Sequence, residues 1–265
     1  MGLLDSFFDS FKKQPPLTSV LERMTRALGY PFRVVDPTLS PEEVVTLYAK
    51  ELARGRREGY TPLILPEDEM LADYLHALTA AGFDRQVEAQ RIGDDGQKRL
   101  WQRLSALESQ PRPAAPETEA EAEAGETPVS DGTDSDIFLS IIDFIEYEVK
   151  PLALLKLPTL EPWKSVVYVP FGGWGHCPEP GEMGAVCRHW YEKHGAVPAV
   201  ISHDSVEFLL PHPVPKDLAG DTAREHFALC PERVYQCTDS GTVEELAKSL
   251  AASRLWYFWW EDKEI

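Results

Sequence analysis

The residues best suited to chemistry lie in a glycine-rich loop at residues 171–178, FGGWGHCP. Glycine adopts backbone conformations that other residues avoid and lets a ligand come close to the chain. We predict a strand before this loop and a helix after it, an arrangement in which α/β proteins bind anions or substrates. The loop contains no phosphate-binding Gly-Lys-Ser/Thr or GxGxxG pattern, so a purely structural turn that buries Trp174 is an equally good interpretation.

A nucleophilic site is one hypothesis for this loop. Cys177 precedes a predicted helix, and a helix N-terminus lowers the pKa of a thiol. The base in such a site would be a nearby histidine, such as His176, His189 or His226, and we name His226 with Glu225 as the partners of Cys177. The sequence shows no complete set of base and oxyanion donors, which favours the alternative of a buried, unreactive thiol.

A zinc site is a second hypothesis, with His176, Cys177, His226 and Cys230 as the ligands. His226 and Cys230 are one helical turn apart, and zinc accepts this ligand set. Neither cysteine belongs to a CxxC pair, so we predict no metal and no cofactor. The nearby triplet His203-Asp204-Ser205 contains the residue types of a catalytic triad, but chain neighbours cannot take triad geometry, and we interpret it as a turn between strands.

The order of predicted helices and strands around these residues indicates an α/β protein, with α+β as the alternative. We expect two small domains, each with a mixed sheet and covering helices. The first domain spans residues 17–109. It has predicted helices at 17–28, from Ser40 to about 55, at 67–81 and at 96–108, and strands at 31–35 and 61–65. Ser40 and Glu43 form a capping-box pattern at a helix start.

The second domain spans residues 137–265 and contains the glycine-rich loop. Helices are predicted at 137–147, 182–194, 219–229 and 242–250, and strands at 152–157, 165–169, 197–202 and 206–210. The last strand reads LWYFWW at residues 255–260. Because both of its alternating faces are apolar, we expect it to be central in a sheet and covered on both sides.

Two further segments flank these domains. Residues 1–16 predict a short amphipathic helix, ended by Pro15 and Pro16, that docks on its own domain or, alternatively, associates with a membrane surface through residues 1–13. Residues 110–136 contain eight acidic residues, one basic residue and a single aliphatic side chain larger than alanine. Such a composition predicts a disordered acidic linker.

Charge and composition limit the function classes. The 265 residues include 44 acidic and 26 basic side chains, a net charge of −18. This balance opposes nucleic-acid binding, which requires a basic surface. No segment has the run of about 18 apolar residues needed to span a membrane, and no secretory signal is present. With its four cysteines at low density, the chain is expected to be cytoplasmic with reduced thiols.

Three motifs in order resemble the bacterial family called domain of unknown function 4253. They are the FGGW segment from Phe171 with Cys177-Pro178, then Glu225-His226-Phe227 with Cys230-Pro231, and finally Trp256 to Trp260 followed by an acid. The resemblance covers about residues 150–262. It implies kinship and a bacterial origin but no activity, and no catalytic residue is carried over from it.

The absence of a complete reaction centre favours a non-enzymatic, protein-binding module, such as an immunity-type or regulatory partner of a basic protein. The alternatives are a hydrolase or transferase, or a small-ligand sensor, that uses the loop at 171–178. In each case we predict that the three motifs gather at one place and form the ligand or partner surface. The residues of this predicted surface are Gly172, Gly173, Trp174, His176, Cys230, Trp260, Glu261 and Asp262.

Overall fold

The computed structural model describes residues 17–109 and 136–260. The predicted N-terminal helix, the predicted linker up to residue 135, and Glu261 and Asp262 lie outside these residues. The strands are β1 Phe32–Val34, β2 Thr61–Pro66, β3 Ile142–Asp143, β4 Glu148–Val149, β5 Leu152–Leu157, β6 Val197–Ile201, β7 Ser205–Leu209 and β8 Leu255–Trp259. The helices are α1 Ser19–Leu28, α2 Pro41–Glu58, α3 Glu69–Ala80, α4 Arg85–Gln90, α5 Gly96–Glu108, α6 Ser165–Tyr168, α7 Pro180–His194, α8 Lys216–Leu229, α9 Glu232–Tyr235 and α10 Val243–Leu250.

The α/β class, with a mixed sheet and covering helices, is confirmed, but the two predicted units do not each form a main sheet of their own. Within the described residues, six strands form one sheet in the order β1-β5-β2-β6-β7-β8. Strand β2 is antiparallel to β5, with Leu63 opposite Leu155, and parallel to β6, with Ile64 opposite Val200. The two predicted units therefore share a sheet, because β2 needs a hydrogen-bonding partner on each side.

The sheet is covered on both faces. One face packs against α1, α3, α5, α7, α8 and α10 in a large core that includes Leu63, Leu155, Phe208 and Trp256. The other face packs against α2 and the segment that precedes β3, with Ile64, Leu154 and Val200 in the core. This second layer explains why β2 is buried along its whole length. In the described parts of the chain, no helix combines the length and hydropathy needed to cross a membrane.

Most of the longer helices begin and end close to their predicted bounds. The capping box at the start of α2 is confirmed: the Ser40 hydroxyl accepts from the Glu43 amide, and the Glu43 carboxylate accepts from the Ser40 amide. At α10 the Thr242 hydroxyl caps the helix, but the Glu245 carboxylate instead accepts from the amides of Asp239 and Ser240.

Two segments have the wrong element type in the prediction. Residues 137–147 are not a helix, because the Glu207 carboxylate binds the amides of Leu139 and Ser140, and Asp143 binds those of Ile145 and Glu146. Residues 165–169 are not a strand: α6 follows a 3-10 turn at Pro162–Lys164. In a short run of apolar residues that are all buried, no alternation of apolar and polar positions distinguishes a strand from a helix.

The last strand is at an edge of the sheet rather than in its centre. Among the strands of residues 17–109 and 136–260, β8 pairs with β7 alone, antiparallel, with Phe258 opposite Val206. Its aromatic side chains are nevertheless largely buried, because Trp256 and Phe258 pack under the helices of the larger core. The prediction failed because burial of both faces does not require a neighbouring strand on both sides.

Candidate functional site

The three motifs gather at one place, as the sequence predicts. The Phe171 ring contacts those of Trp174 and Trp260, with centroids 5.1 Å and 5.4 Å away. The Cys230 thiol donates to the Trp259 carbonyl across 3.0 Å. The glycine-rich loop, the Cys230 corner and the end of β8 therefore form one cluster.

Glycines in the loop allow the loop to close on itself. Gly172 has φ of +106°, and a Cβ atom there would lie 1.9 Å from the Pro178 carbonyl oxygen. The Gly173 amide donates to that same oxygen across 3.0 Å. The loop follows helix α6 rather than a strand, and the space beside Gly172 is occupied by the chain. This supports the interpretation of the loop as a structural turn, with half-buried Trp174 packed edge-on against Tyr74.

The thiols of this cluster are poor nucleophiles. Cys177 and Cys230 are both buried, and burial raises the pKa of each thiol far above its ordinary value. The expected lowering of the Cys177 pKa by a helix N-terminus is therefore overruled by desolvation. Both residues pack as small apolar side chains.

Glu225 lies in a different polar cluster. Its buried carboxylate accepts from His189 at 3.0 Å, from the Trp190 indole at 3.0 Å and from Lys193 at 2.9 Å. Burial raises the pKa of Glu225, but the bonds from His189 and Lys193 outweigh this effect and the pKa is lowered. Glu225 thus joins α8 to α7 by three hydrogen bonds, and its oxygens are already occupied.

His226 is enclosed by aromatic rings. Its ring lies 4.5 Å from that of Trp256 and 4.7 Å from that of Phe258, between ring centroids. Burial holds the pKa of His226 well below its ordinary value, so the ring is neutral, and Nδ1 accepts from Nε of Arg233 at 3.1 Å. Among the described residues, no hydrogen bond joins Cys177, His226 and Glu225 to one another, although Glu225 and His226 both contact Trp190. The hypothesis of a reaction centre built from these three residues therefore gains no support from their geometry.

The zinc hypothesis has no support from the geometry either. Across residues 17–109 and 136–260, no three His, Cys, Asp or Glu side chains are arranged to hold a metal ion. The triplet at residues 203–205 is part of the turn between β6 and β7, as predicted, closed by the Ser202 amide and the Ser205 carbonyl. Asp68, which caps α3, accepts from both the amide and Nδ1 of His203 and so fixes that turn.

A long groove lies on the outer side of the cluster, between helices α5, α8, α9 and the start of α10. Its volume is about 850 Å³. Residues of the sequence motifs or next to them line it, among them His176 from the loop, Phe227, Pro231 and Glu232. A second groove of about 890 Å³ continues between α8 and α10 and shares Arg224, Val243 and Glu244 with the first.

One side chain of the first domain joins the walls of this groove. Arg103 of α5 donates to the carbonyl oxygen of Ala228 across 3.2 Å and to that of His176 across 2.5 Å. The helix before the predicted linker therefore contacts both the loop and α8. This contact was missed, since a solvent-facing arginine on a predicted helix carries no sequence signal for it.

The comparisons with known proteins concern the C-terminal part of the chain. Residues 153–261 match the family described as Domain of unknown function (DUF4253). These residues form a DUF4253 domain. None of the curated proteins and none of the solved structures gave a match to the chain.

The DUF4253 domain contains all three motifs and strands β5 to β8. It does not contain β2, which lies between β5 and β6 in the sheet. The matched segment therefore depends on the preceding part of the chain for a complete sheet. Glu207 and Arg233 of this domain are both buried and carry ionisable side chains. Their structural roles were missed, because nothing in the sequence around them indicates that they are buried.

Proposed function

We propose that this chain is a non-enzymatic, protein-binding module whose groove along α8 holds an apolar and basic segment of a partner protein. The observation that carries the proposal is the groove itself, with residues of the family motifs in its wall. The two grooves together are lined by α8 residues from Lys216 to Ala228, so they run for about 20 Å along that helix. This length suits an amphipathic helix or an extended peptide.

The lining of the groove favours such a segment. Leu107, Phe227, Tyr235 and Val243 offer partly exposed apolar surface between the flanking helices. Apolar anchors that enter a groove of this kind supply most of the binding energy in peptide recognition. The four side chains thus form the surface that a partner helix would cover.

Charge favours a basic partner. Glu108, Glu232 and Glu244 lie along the first groove, against the guanidinium groups of Arg103 and Arg224. The three carboxylates outnumber the two guanidinium groups by one. The net charge of −18 adds long-range attraction for a basic protein and speeds its association. An immunity-type or regulatory partner of a basic protein fits this chemistry.

No particular observation favours the alternative of an enzyme or sensor at residues 171–178. The candidate nucleophile, Cys177, is a buried and protonated thiol. The space next to Gly172 is taken by the Pro178 carbonyl. The binding interpretation is therefore the better one for this surface.

Fluorescence anisotropy with labelled amphipathic peptides tests the proposal. We expect a leucine-lysine helix to bind and a leucine-glutamate helix not to bind. Glu108→Lys in the groove should weaken binding by about tenfold or more, as should Tyr235→Ser. The matched controls are Glu192→Lys, in the last turn of α7, and Met70→Ser on α3, both exposed and outside the groove. Equal losses in the controls would show non-specific charge attraction and contradict the proposal.

A further inference from the structure

The β3–β4 hairpin has an apolar tip that is exposed and lies outside both cores of the described residues. At the tip, Ile145 is 86% exposed and Tyr147 is 83% exposed, while Phe144 is 42% exposed. Single apolar residues on a surface are ordinary, but three at one tip form a patch of the kind that marks an interaction site. Aromatic and large aliphatic anchors of this type dominate binding energies in protein interfaces.

Local hydrogen bonds and the backbone conformation shape the tip. An oxygen of Asp143 accepts from the amides of Ile145, at 2.9 Å, and Glu146, at 3.2 Å. Tyr147 has φ of +55°, in the left-handed region that a tyrosine enters only at a cost of about 1 kcal/mol. The backbone thus keeps a strained shape that displays Ile145 and Tyr147.

The base of the hairpin is anchored on the sheet. Ile142 and Val149 face each other across the hairpin and pack against the core on the α2 side. Just before them, Leu139 and Ser140 donate their amides to the buried carboxylate of Glu207. A rigid base under an exposed apolar tip lowers the entropic cost of binding.

Carboxylates flank the tip. Asp143, Glu146 and Glu148 lie next to the apolar side chains, with Lys150 as the nearest base in sequence. A second copy of this chain, or an anionic membrane, would place like charges against them. We propose that the hairpin tip docks into an apolar pocket rimmed by lysine and arginine side chains on a partner protein.

This surface is separate from the groove along α8. Residues that line the groove, such as Leu104 and Val234, belong to the core on one face of the sheet. The hairpin packs on the other face. The hairpin surface and the groove therefore lie on opposite sides of the sheet.

Photo-crosslinking in the cells that naturally make the full-length protein tests the hairpin surface. A benzophenone amino acid replaces Tyr147, and the same group at Leu160, 58% exposed, is the control. We expect an adduct from position 147 alone, to another protein, at a site next to lysine or arginine residues. With that partner purified, Ile145→Ser and the charge reversal Glu146→Lys should each weaken binding by about tenfold. The groove variant Glu108→Lys should leave the adduct at position 147 unchanged.

Several outcomes would overturn the hairpin proposal. These are no adduct, an adduct only to a second copy of the chain, an adduct only to lipid, or a partner site without basic residues. An adduct that disappears in the Glu108→Lys variant would show that the hairpin belongs to the same interface as the groove. If the original protein binds none of the amphipathic peptides while the hairpin adduct still forms, the result contradicts the proposed groove function alone.

Discussion

At the scale of single residues, Glu207 shows what burial does to a carboxyl group. It lies on β7, almost fully buried, with one oxygen 2.7 Å from the Ser140 amide and the other 2.9 Å from the Leu139 amide. Burial raises its pKa from 4.5 to about 7, although the two amide bonds act in the opposite direction. The protonated form is therefore favoured in the folded protein relative to the unfolded chain.

The raised pKa makes the stability depend on pH. Between pH 4.5 and about 7 the folded protein binds more protons at Glu207 than the unfolded chain does. The contribution of this group is present below pH 4.5 and is lost as the pH rises to about 7. The shift corresponds to about 3 kcal/mol.

Denaturant unfolding at a series of pH values measures this loss. We expect Glu207→Gln to flatten the decrease in unfolding free energy between pH 5 and 7, because the variant has no group to titrate. The exposed substitution Glu192→Gln serves as the control and should keep the slope of the original protein. An unchanged slope in Glu207→Gln would contradict the assignment.

At the scale of elements, the free edge of β8 needs protection. The carbonyls of Tyr257 and Trp259 point away from β7, and each is satisfied by a side chain near α9: Arg233 donates to Tyr257, and Cys230 to Trp259. Arg233 is buried, and its guanidinium also lies over the Phe258 ring. An edge strand with unpaired carbonyls invites pairing with another chain, and these contacts block it.

Replacing Arg233 removes that protection. We expect Arg233→Met to be destabilised by about 1–3 kcal/mol, because the Tyr257 carbonyl loses its partner in a buried place. The variant should also associate as its concentration rises, which sedimentation velocity detects. Arg26→Met, at an exposed position of α1, removes the same charge and should stay close to the original protein in both measurements. A stable, non-associating Arg233→Met variant would refute the edge-protection argument.

At the scale of the whole molecule, one sheet contains strands from both parts of the chain. The first side is the part before residue 110, and the second side is the part after residue 135. Strand β2 comes from the first side, and both of its neighbours, β5 and β6, come from the second. The Tyr48 hydroxyl of α2 also donates to the Pro198 carbonyl of β6 across 2.9 Å. Neither side contains all the strands of the sheet.

Cleavage between residues 110 and 135, at an inserted protease site, tests this arrangement. We expect the two pieces to stay together in size-exclusion chromatography, because the β2 pairings and the shared core survive the cut. The piece that begins at residue 136, produced alone, should show no cooperative thermal unfolding, since β5 and β6 lose their common neighbour. Pieces that separate and each unfold cooperatively would instead indicate two independent domains.

Much of the local structure could be predicted from the sequence. The Ser40 and Glu43 capping box, the apolar stripes of the longer helices and the strand at 61–65 are encoded by residues that are close in the chain. The gathering of the three motifs was also predicted, and the family resemblance is confirmed for residues 153–261. Patterns of this kind suffice because turns, caps and amphipathic faces depend on short-range contacts.

Only the tertiary structure decided which strands pair and which charged residues are buried. The pairing of Leu63 with Leu155 joins residues that are far apart in the chain, and no local pattern distinguishes it from a pairing within each half. Glu207 determines that the segment after residue 137 is a hairpin, through bonds to Leu139 and Ser140 that span more than 60 residues. Secondary-structure propensity depends on residues that are close in the chain, whereas hydrogen bonding and burial depend on the whole folded molecule. Where propensity and tertiary contacts favour different structures, the tertiary contacts determine the outcome.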